Sequence, residues 1–349
     1  MSTTTVPRQF AALRARETES GVAAAVEQCR PEELPPGEVV VRVSYSSLNY
    51  KDALSLRGNR GVTRNYPHTP GIDAAGTVVE SATKDLPPGS SVVVHGYDLG
   101  MNTWGGFSEY IRVPAEWVVP LPDALDPRTA MIYGTAGYTA ALAVERLDRI
   151  LRSRPEGASR GPVVVSGAGG GVGSIAVAML SGLGYTVTAS TGQADDPVAR
   201  EWLTTLGAEE VIDRDTVARA AEKPISKGRW IAGVDTTGGT ILAGMVKAAA
   251  YGAPVAACGL TRDAELPLTV FPFILRAVQL IGIDSVHTPI DERRRVWKRI
   301  ADDLRRPAVE AGADQISETD LAGIPQVADS LLEGTHRGRT VVHIAAATP

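Results

Sequence analysis

Gly161-Pro162-Val163-Val164-Val165-Ser166-Gly167-Ala168-Gly169-Gly170-Gly171-Val172-Gly173 is the stretch that decides the fold. Pro162 closes a loop, and three consecutive valines then form the β-branched run of a buried parallel strand. Five glycines follow between residues 167 and 173, and residues 174–183 read as a helix. Strand, glycine turn and helix in that order gather backbone N–H groups and the positive end of a helix at one point. Such a point suits a pyrophosphate. In detail the pattern is Ala168-x-Gly170-x-x-Gly173, with alanine in place of the first glycine of the usual G-x-G-x-x-G. A glycine cluster alone also fits a bare tight turn. The flanking strand and helix favour dinucleotide binding, with Ala168, Gly170, Gly171, Val172 and Gly173 as its contacts.

Downstream the same rhythm repeats. Strands are predicted at 163–166, 185–189, 210–213, 230–235, 254–258 and 280–284, with helical stretches between most of them. Asp196-Pro197 begins one helix as cap and first residue, and Gly207 ends it; Thr240 opens another. Alternating strand and helix means a parallel, doubly wound sheet. Its second strand ends in Ala189-Ser190-Thr191-Gly192-Gln193. An NAD site usually places an acid about 20 residues beyond the glycine turn, to hold the ribose 2′-hydroxyl. No Asp or Glu occurs between Gly173 and Asp195, and Ser190, Thr191 and Gly192 can admit a 2′-phosphate instead. This favours NADPH. Arg214 and Arg200 are candidate charge partners, each also readable as a solvated residue.

Before the glycine turn the pattern is different. Strands predicted at 38–43, 75–79, 91–95 and 107–113 are separated by Pro87-Pro88-Gly89 and Gly105-Gly106, which argues for a compact β-barrel. One segment, Ser47-Leu48-Asn49-Tyr50-Lys51-Asp52-Ala53-Leu54-Ser55-Leu56-Arg57-Gly58, reads instead as a short helix stopped by Gly58. Asn49 can cap it and Asp52 can sit in its first turn. The same two polar groups also fit the floor of an active site. Arg57, Arg60 and Arg64 follow with no acid between them. They are either a solvated loop or a site for a phosphorylated substrate. Towards the C-terminus a helix is predicted at 291–306, with a solvated Arg293-Arg294-Arg295 face, then a helix at 320–333 and a strand at 340–344. A valine-rich last strand returns the chain to the first domain. The division expected is 1–126 with 300–349 around an inserted 127–299, leaving a cleft between the halves.

The 349 residues suffice for about two domains. A net charge of −5 with no long basic run gives nothing to draw nucleic acid or anionic membranes. Two cysteines, Cys29 and Cys258, make neither a disulfide framework nor a four-cysteine zinc site. With no leader-like or membrane-spanning apolar run, the expectation is a reduced, cytoplasmic protein.

With these residues in view, the chain resembles the medium-chain dehydrogenase/reductase superfamily over nearly its whole length. Within it, the likeness is to the zinc-free quinone oxidoreductase branch that includes acryloyl-CoA reductases. The likeness rests on Ser47 to Asp52, Pro70-Gly71-Ile72-Asp73, the glycine turn, Ala256-Ala257-Cys258-Gly259-Leu260, Pro272-Phe273-Ile274-Leu275-Arg276 and Gly282-Ile283-Asp284-Ser285. It implies an α/β protein, a GroES-like β-barrel catalytic domain with an inserted Rossmann domain, commonly assembled as a homodimer. Zinc-dependent relatives carry a Cys ligand in the segment of Leu48-Asn49-Tyr50 and Gly-His-Glu at Gly71-Ile72-Asp73, so no metal is expected here. His68 and His95 read as loop or strand residues.

The resemblance also places Asn49 and Asp52 near nicotinamide and substrate. Tyr133-Gly134-Thr135-Ala136-Gly137 falls beside the cofactor, and Cys258, Gly259 and Leu260 near the nicotinamide ring. Tyr133 can equally be a packed aromatic, and Cys258 a small buried residue. NADPH-using relatives often have Arg or Lys where this chain has Gln193. The resulting expectation is NADPH-dependent reduction of the C=C bond of an acryloyl-CoA-like thioester. Asn49, Tyr50, Asp52 and Tyr133 form the catalytic set, Thr135 joins the cofactor contacts, and Arg57, Arg60 and Arg64 meet the substrate. Two other readings stand beside it: a quinone or small-enone reductase, and a non-catalytic NADPH-binding sensor.

Overall fold

The computed structural model describes residues 6–154, 161–312 and 315–344, so the extreme ends of the expected catalytic domain, 1–5 and 345–349, lie outside the described residues. The chain opens with β1 (Phe10–Thr18) and β2 (Gly21–Cys29), an antiparallel hairpin. Next come β3 (Val39–Leu48), helix α1 (Tyr50–Leu56), β4 (Asp73–Ser81), β5 (Ser91–His95), β6 (Tyr110–Val113) and β7 (Val118–Pro120). Helix α2 (Pro127–Arg152) leads to β8 (Val163–Ser166), α3 (Gly171–Gly182), β9 (Val187–Thr191), α4 (Pro197–Thr205), β10 (Glu210–Asp213) and α5 (Arg214–Ala218). After these run β11 (Ala232–Asp235), α6 (Gly239–Lys247), β12 (Pro254–Ala257), α7 (Phe271–Arg276) and β13 (Gln279–Gly282). The chain closes with α8 (Ile290–Arg299), α9 (Pro307–Glu310), β14 (Ile316–Thr319), α10 (Ile324–Leu332) and β15 (Arg339–His343). Among the described residues no helix is long and apolar enough to cross a membrane.

Two compact units emerge. The first comprises Met1–Thr135, Ser285–Ala301 and Gly312–Pro349; the second comprises Ala136–Asp284 and Asp302–Ala311. In the first unit a seven-stranded sheet runs β14-β15-β3-β4-β5-β7, with β6 also paired to β3. Only β14–β15 is parallel. The long β3 shows why: Val39, Val40, Val41 and Val43 are buried, because β3 is paired along both edges and packed over. Two register shifts against β4, at Val40/Val41 and Val43/Tyr45, bend the strand as closing a barrel requires. The returning strand β15 lies antiparallel on β3, from Thr340 opposite Leu48 to His343 opposite Tyr45.

In the second unit the sheet order is β10-β9-β8-β11-β12-β13, and every pair is parallel. Counted within the unit this is third, second, first, fourth, fifth, sixth. The order reverses beside β8, so the C-terminal end of β8 is where a doubly wound sheet binds its ligand. The valines of β8 are fully enclosed, and α3 buries Ile175 to Leu180 against the sheet.

Several boundaries differ from the sequence expectation. The strand expected at 107–113 begins at Tyr110, because Phe107 is tied elsewhere: its N–H donates to Pro70 O and its carbonyl accepts from Leu13 N. The helix expected at 320–333 begins at Ile324, because Asp320 Oδ1 accepts the Gly323 N–H at 3.0 Å and makes a turn first. The whole of α2 was not foreseen. The solvated arginine face is a correction: Arg294 and Arg295 are exposed, but Arg293 is fully buried. Its guanidinium donates to the carbonyls of His95, Val286 and Thr288 and stacks 4.2 Å from the Tyr97 ring centroid.

Candidate active site

In the first unit the polar groups gather around Asp73. This residue begins β4 and has no exposed surface. Ser47 Oγ donates to its Oδ2 at 2.6 Å, and Asn49 Nδ2 donates to the same oxygen at 2.8 Å. Thr135 donates to the carboxylate through its backbone N–H at 3.0 Å and through Oγ1 at 2.6 Å. Arg339, the first residue of β15, closes the cluster. It donates from Nη2 to Ser47 Oγ at 2.8 Å, from Nη1 to Asn49 Oδ1 at 3.1 Å and from Nε to Ile132 O at 2.9 Å. Its guanidinium lies 4.0 Å from the Asp73 carboxylate. Burial works against the Arg339 charge, and Asp73 and Asp52 offset part of that effect. The Asn49 side chain is thereby held at both ends, amide nitrogen to Asp73 and amide oxygen to Arg339.

Asn49 also explains why α1 starts where it does. Its backbone N–H donates to Asp52 Oδ2 at 2.8 Å, closing a reciprocal capping box. Asp52 Oδ1 accepts from Gly71 N at 3.1 Å and Ile72 N at 2.9 Å, so one carboxylate ties the helix to the strand that carries Asp73. Asp52 is completely buried. Burial, with the Asp73 charge nearby, pushes its carboxyl up to about 7. Tyr133 is fully buried as well. Of the expected catalytic set only Tyr50, at 38% exposure, presents its side chain to solvent, while Asn49 keeps 9%.

Gly134 breaks α2 with φ of 51° and ψ of −153°. A Cβ there would stand 2.6 Å from Asp73 Oδ2 and 2.7 Å from Ser47 Oγ. Only glycine meets both conditions, and the break is what turns Thr135 towards Asp73.

The three arginines of the following loop divide. Arg57 pairs with Asp329, and Arg60 pairs with Glu17 and lies over the Tyr66 ring. Their acids come from distant sequence. Arg64 is exposed, and no carboxylate among the described residues pairs with its side chain.

In the second unit the glycine turn has the expected form. Gly167 takes a positive φ of 57°, and a Cβ on Gly173 would meet Gly167 O at 2.3 Å. The turn can therefore close only with glycine at 173. Gly170 is the N-cap of α3 and offers no side chain, so the first N–H groups of the helix, on Gly171, Val172 and Gly173, have no capping acceptor. Beside this turn lies a cavity of ≈ 310 Å³ lined by Gly167, Thr191, Gly192, Arg214, Thr237, Ile241, Thr261 and Arg262. Its lining holds two arginines and no acid. Arg214 sits against Gly192, where a Cβ would be 3.0 Å from its guanidinium. Ser190 Oγ is buried without a hydrogen-bond partner. Arg200, the other charge candidate, spends its guanidinium on Val211 O and Ala194 O.

Cys258, Gly259 and Leu260 follow β12. Cys258 Sγ lies 3.2 Å from Asp235 O, and burial beside the Asp235 carboxylate pushes its thiol up to about 12. A thiolate nucleophile is excluded near neutral pH. Leu260 is 66% exposed. His95 accepts from Trp297 Nε1 at 2.9 Å, and His68 Nε2 lies 2.9 Å from Gly100 O. Among the described residues no three His, Cys, Asp or Glu side chains gather as metal ligands. Sequence reasoning quoted Ser47 and Asp73 only as motif letters, and it missed Arg339, Thr237 and Arg262. An arginine opening a strand that otherwise reads Thr-Val-Val was the available signal for Arg339.

Comparison with known proteins agrees with this architecture. The model of the alcohol dehydrogenase GroES-like domain matches residues 35–123, and that of the zinc-binding dehydrogenase family matches residues 171–302. An acrylyl-CoA reductase, AcuI of Ruegeria pomeroyi, is 45% identical over 332 residues, which is 95% of this chain and 98% of the relative. A putative quinone oxidoreductase, YhfP of Bacillus subtilis, is 44% identical over 335 residues, 96% of this chain and 99% of the relative. The crystal structure of YhfP with NAD bound superposes with a TM-score of 0.89 at 43% identity, covering 97% of this chain and 100% of that one. The yhdH oxidoreductase of Salmonella enterica in complex with NADP superposes with a TM-score of 0.89 at 42% identity, covering 96% of this chain and 100% of that one. With both units matched and full-length relatives well above the threshold of shared ancestry, the chain belongs to the medium-chain dehydrogenase/reductase superfamily, among its acrylyl-CoA reductase-like and quinone oxidoreductase-like members.

Proposed function

We propose that the protein reduces the C=C bond of an enoyl thioester, acryloyl-CoA to propionyl-CoA in type, with NADPH as reductant. When bound, NADPH supplies the hydride, which goes to the β-carbon of the alkene. The observation that carries the cofactor choice is the acid-free, arginine-lined cavity beside Thr191 and Gly192. A carboxylate there would hold a 2′-hydroxyl and repel a 2′-phosphate. The residues present fit the phosphate: Arg214 at Gly192 and Thr191 line the cavity, and the open N-terminus of α3 suits the pyrophosphate. The full-length likeness to an acrylyl-CoA reductase supports the substrate class.

Roles then divide by exposure. Tyr50 carries the hydroxyl that can donate to the developing thioester oxygen or protonate the α-carbon. Asn49, locked by Asp73 and Arg339, fixes the start of α1 and hence where Tyr50 stands. Asp52 and Thr135 are positioning residues, since their polar atoms are spent on the backbone of Gly71 and Ile72 and on Asp73. Tyr133 is fully buried and reads as a packed aromatic. Arg64 is the remaining loop cation for the phosphates of coenzyme A.

The test is NADPH oxidation with acryloyl-CoA beside crotonyl-CoA, a simple quinone and NADH. Turnover confined to NADPH and acryloyl-CoA is expected. Turnover with quinone alone would move the protein to the second reading, which the likeness to YhfP favours. Binding of NADPH without turnover on any acceptor would assign a sensor role. A homodimer in the reducing cytoplasm completes the proposal, consistent with two free cysteines and an open sheet edge at β13.

A further inference from the structure

Gln193 brings no charge to the position where NADPH-using relatives often carry Arg or Lys, and its backbone N–H is turned to Thr191 Oγ1 at 3.2 Å. The cavity nevertheless has a second cation. Arg262 lies in the loop after β12, and that loop is stitched to the turn after β11. The Arg262 N–H donates to Thr237 O at 2.9 Å, and Gly238 bridges to Asp263. The turn itself is held from below, because the buried Asp235 carboxylate accepts from Thr237 Oγ1 at 2.8 Å and from Gly238 N at 2.7 Å. Arg262 is thus fixed at its backbone and lines the same cavity as Arg214. Among the described residues neither arginine has a carboxylate partner. Two arginines lining one cavity, with small hydroxyl residues and no acid, suit a dianion held by charge-assisted hydrogen bonds.

We propose that Arg262 is a specificity-determining residue: with Arg214 it binds the ribose 2′-phosphate of NADPH, supplying from the β12 loop the charge that Gln193 lacks. The inference rests on the NADPH reading above. It places cofactor selection on the start of α5 and on the loop after β12, and makes the residue at 193 dispensable.

The experiment is direct titration of the full chain with NADPH, NADH, adenosine 2′,5′-bisphosphate and 5′-AMP, by calorimetry or by nucleotide fluorescence. Wild type is expected to prefer the 2′-phosphorylated member of each pair. Arg262→Gln should weaken NADPH and the bisphosphate about 10- to 100-fold, the effect of losing one charge-assisted contact, and leave NADH and 5′-AMP within about twofold. Arg262→Lys should retain most of the preference, and adding Gln193→Arg to Arg262→Gln should restore it. If wild type itself shows no preference, the NADPH reading fails and this inference with it. If wild type prefers NADPH but Arg262→Gln keeps the preference, or weakens both nucleotides equally, the NADPH reading survives and the role of Arg262 is overturned.

Discussion

Gly134 is where the backbone of α2 and the polar cluster make competing demands on one position. Its φ of 51° and a Cβ position 2.6 Å from Asp73 Oδ2 forbid a side chain on both counts. Gly134→Ala should lower stability by about 2 kcal/mol or more and displace Thr135 from Asp73. Urea unfolding checks the first effect and kcat the second; a variant as stable and active as wild type would show that the cluster tolerates the break in another form. Asp52 makes a different demand, one that depends on pH. Its carboxyl is raised from the ordinary 3.8 to about 7, by burial first and by the Asp73 charge second. The folded chain therefore keeps a proton on Asp52 that the unfolded chain has already lost. Stability from this residue is complete below the unfolded value and declines as pH rises towards about 7, by at most about 1.4 kcal/mol per pH unit. Between about pH 4.5 and 7.5 the urea midpoint of wild type should fall relative to that of Asp52→Asn. Parallel midpoints across that range would mean that the three backbone N–H donors keep Asp52 ionised throughout.

Whole elements were legible to the extent that local chemistry fixed them. Val163–Ser166, Ser91–His95 and Glu210–Asp213 form strands at the expected bounds, because β-branched runs between turn residues have few alternatives. Asp196 caps α4 through Val198 N, as its place before Pro197 implied. Helix α2 was hidden by Gly134, whose non-helical φ and ψ break it, and the border between the two units falls just after it, between Thr135 and Ala136. In α8 the arginine run masked the period: Arg293, Val296, Trp297 and Ile300 form one buried stripe at helical spacing, with a cation in it. The loop after α1 misled for another reason. Acids absent between Arg57 and Arg64 arrive from β1 and α10 by folding, as Glu17 and Asp329. This separates the three arginines experimentally. Arg57→Ala and Arg60→Ala each remove an exposed ion pair and should change stability by no more than about 1 kcal/mol. Arg64→Ala should raise KM for acryloyl-CoA about tenfold, as loss of one phosphate contact would, and leave KM for a small enone unchanged. Equal effects on both substrates would remove Arg64 from the substrate site.

At the scale of the whole molecule the second unit ends unfinished. Among the described residues its sheet stops at β13, with no strand beside the outer edge, and the burial of β13 matches that of an edge strand. Most large hydrophobic side chains left exposed lie between residues 251 and 280, among them Val270, Phe271, Ile274 and Leu275 on or beside α7 and Leu280 on β13. Arg276 pins α7 by donating to Ala249 O at 2.9 Å and to Ser226 O, and Ala277 turns the chain directly into β13 in a left-handed conformation. An exposed apolar helix next to an open strand is costly in water, and the homodimer proposed above would cover it. A second copy would pair β13 with β13 and cover both helices at once. Ile274→Asp combined with Leu280→Asp should therefore convert a dimer to a monomer in light scattering, with the circular dichroism of the fold retained. Since Arg214 on α5 and Arg262 after β12 lie outside α7 and β13, nucleotide affinity should survive the change. A wild-type chain that scatters as a monomer at all concentrations would instead leave this surface to a different partner.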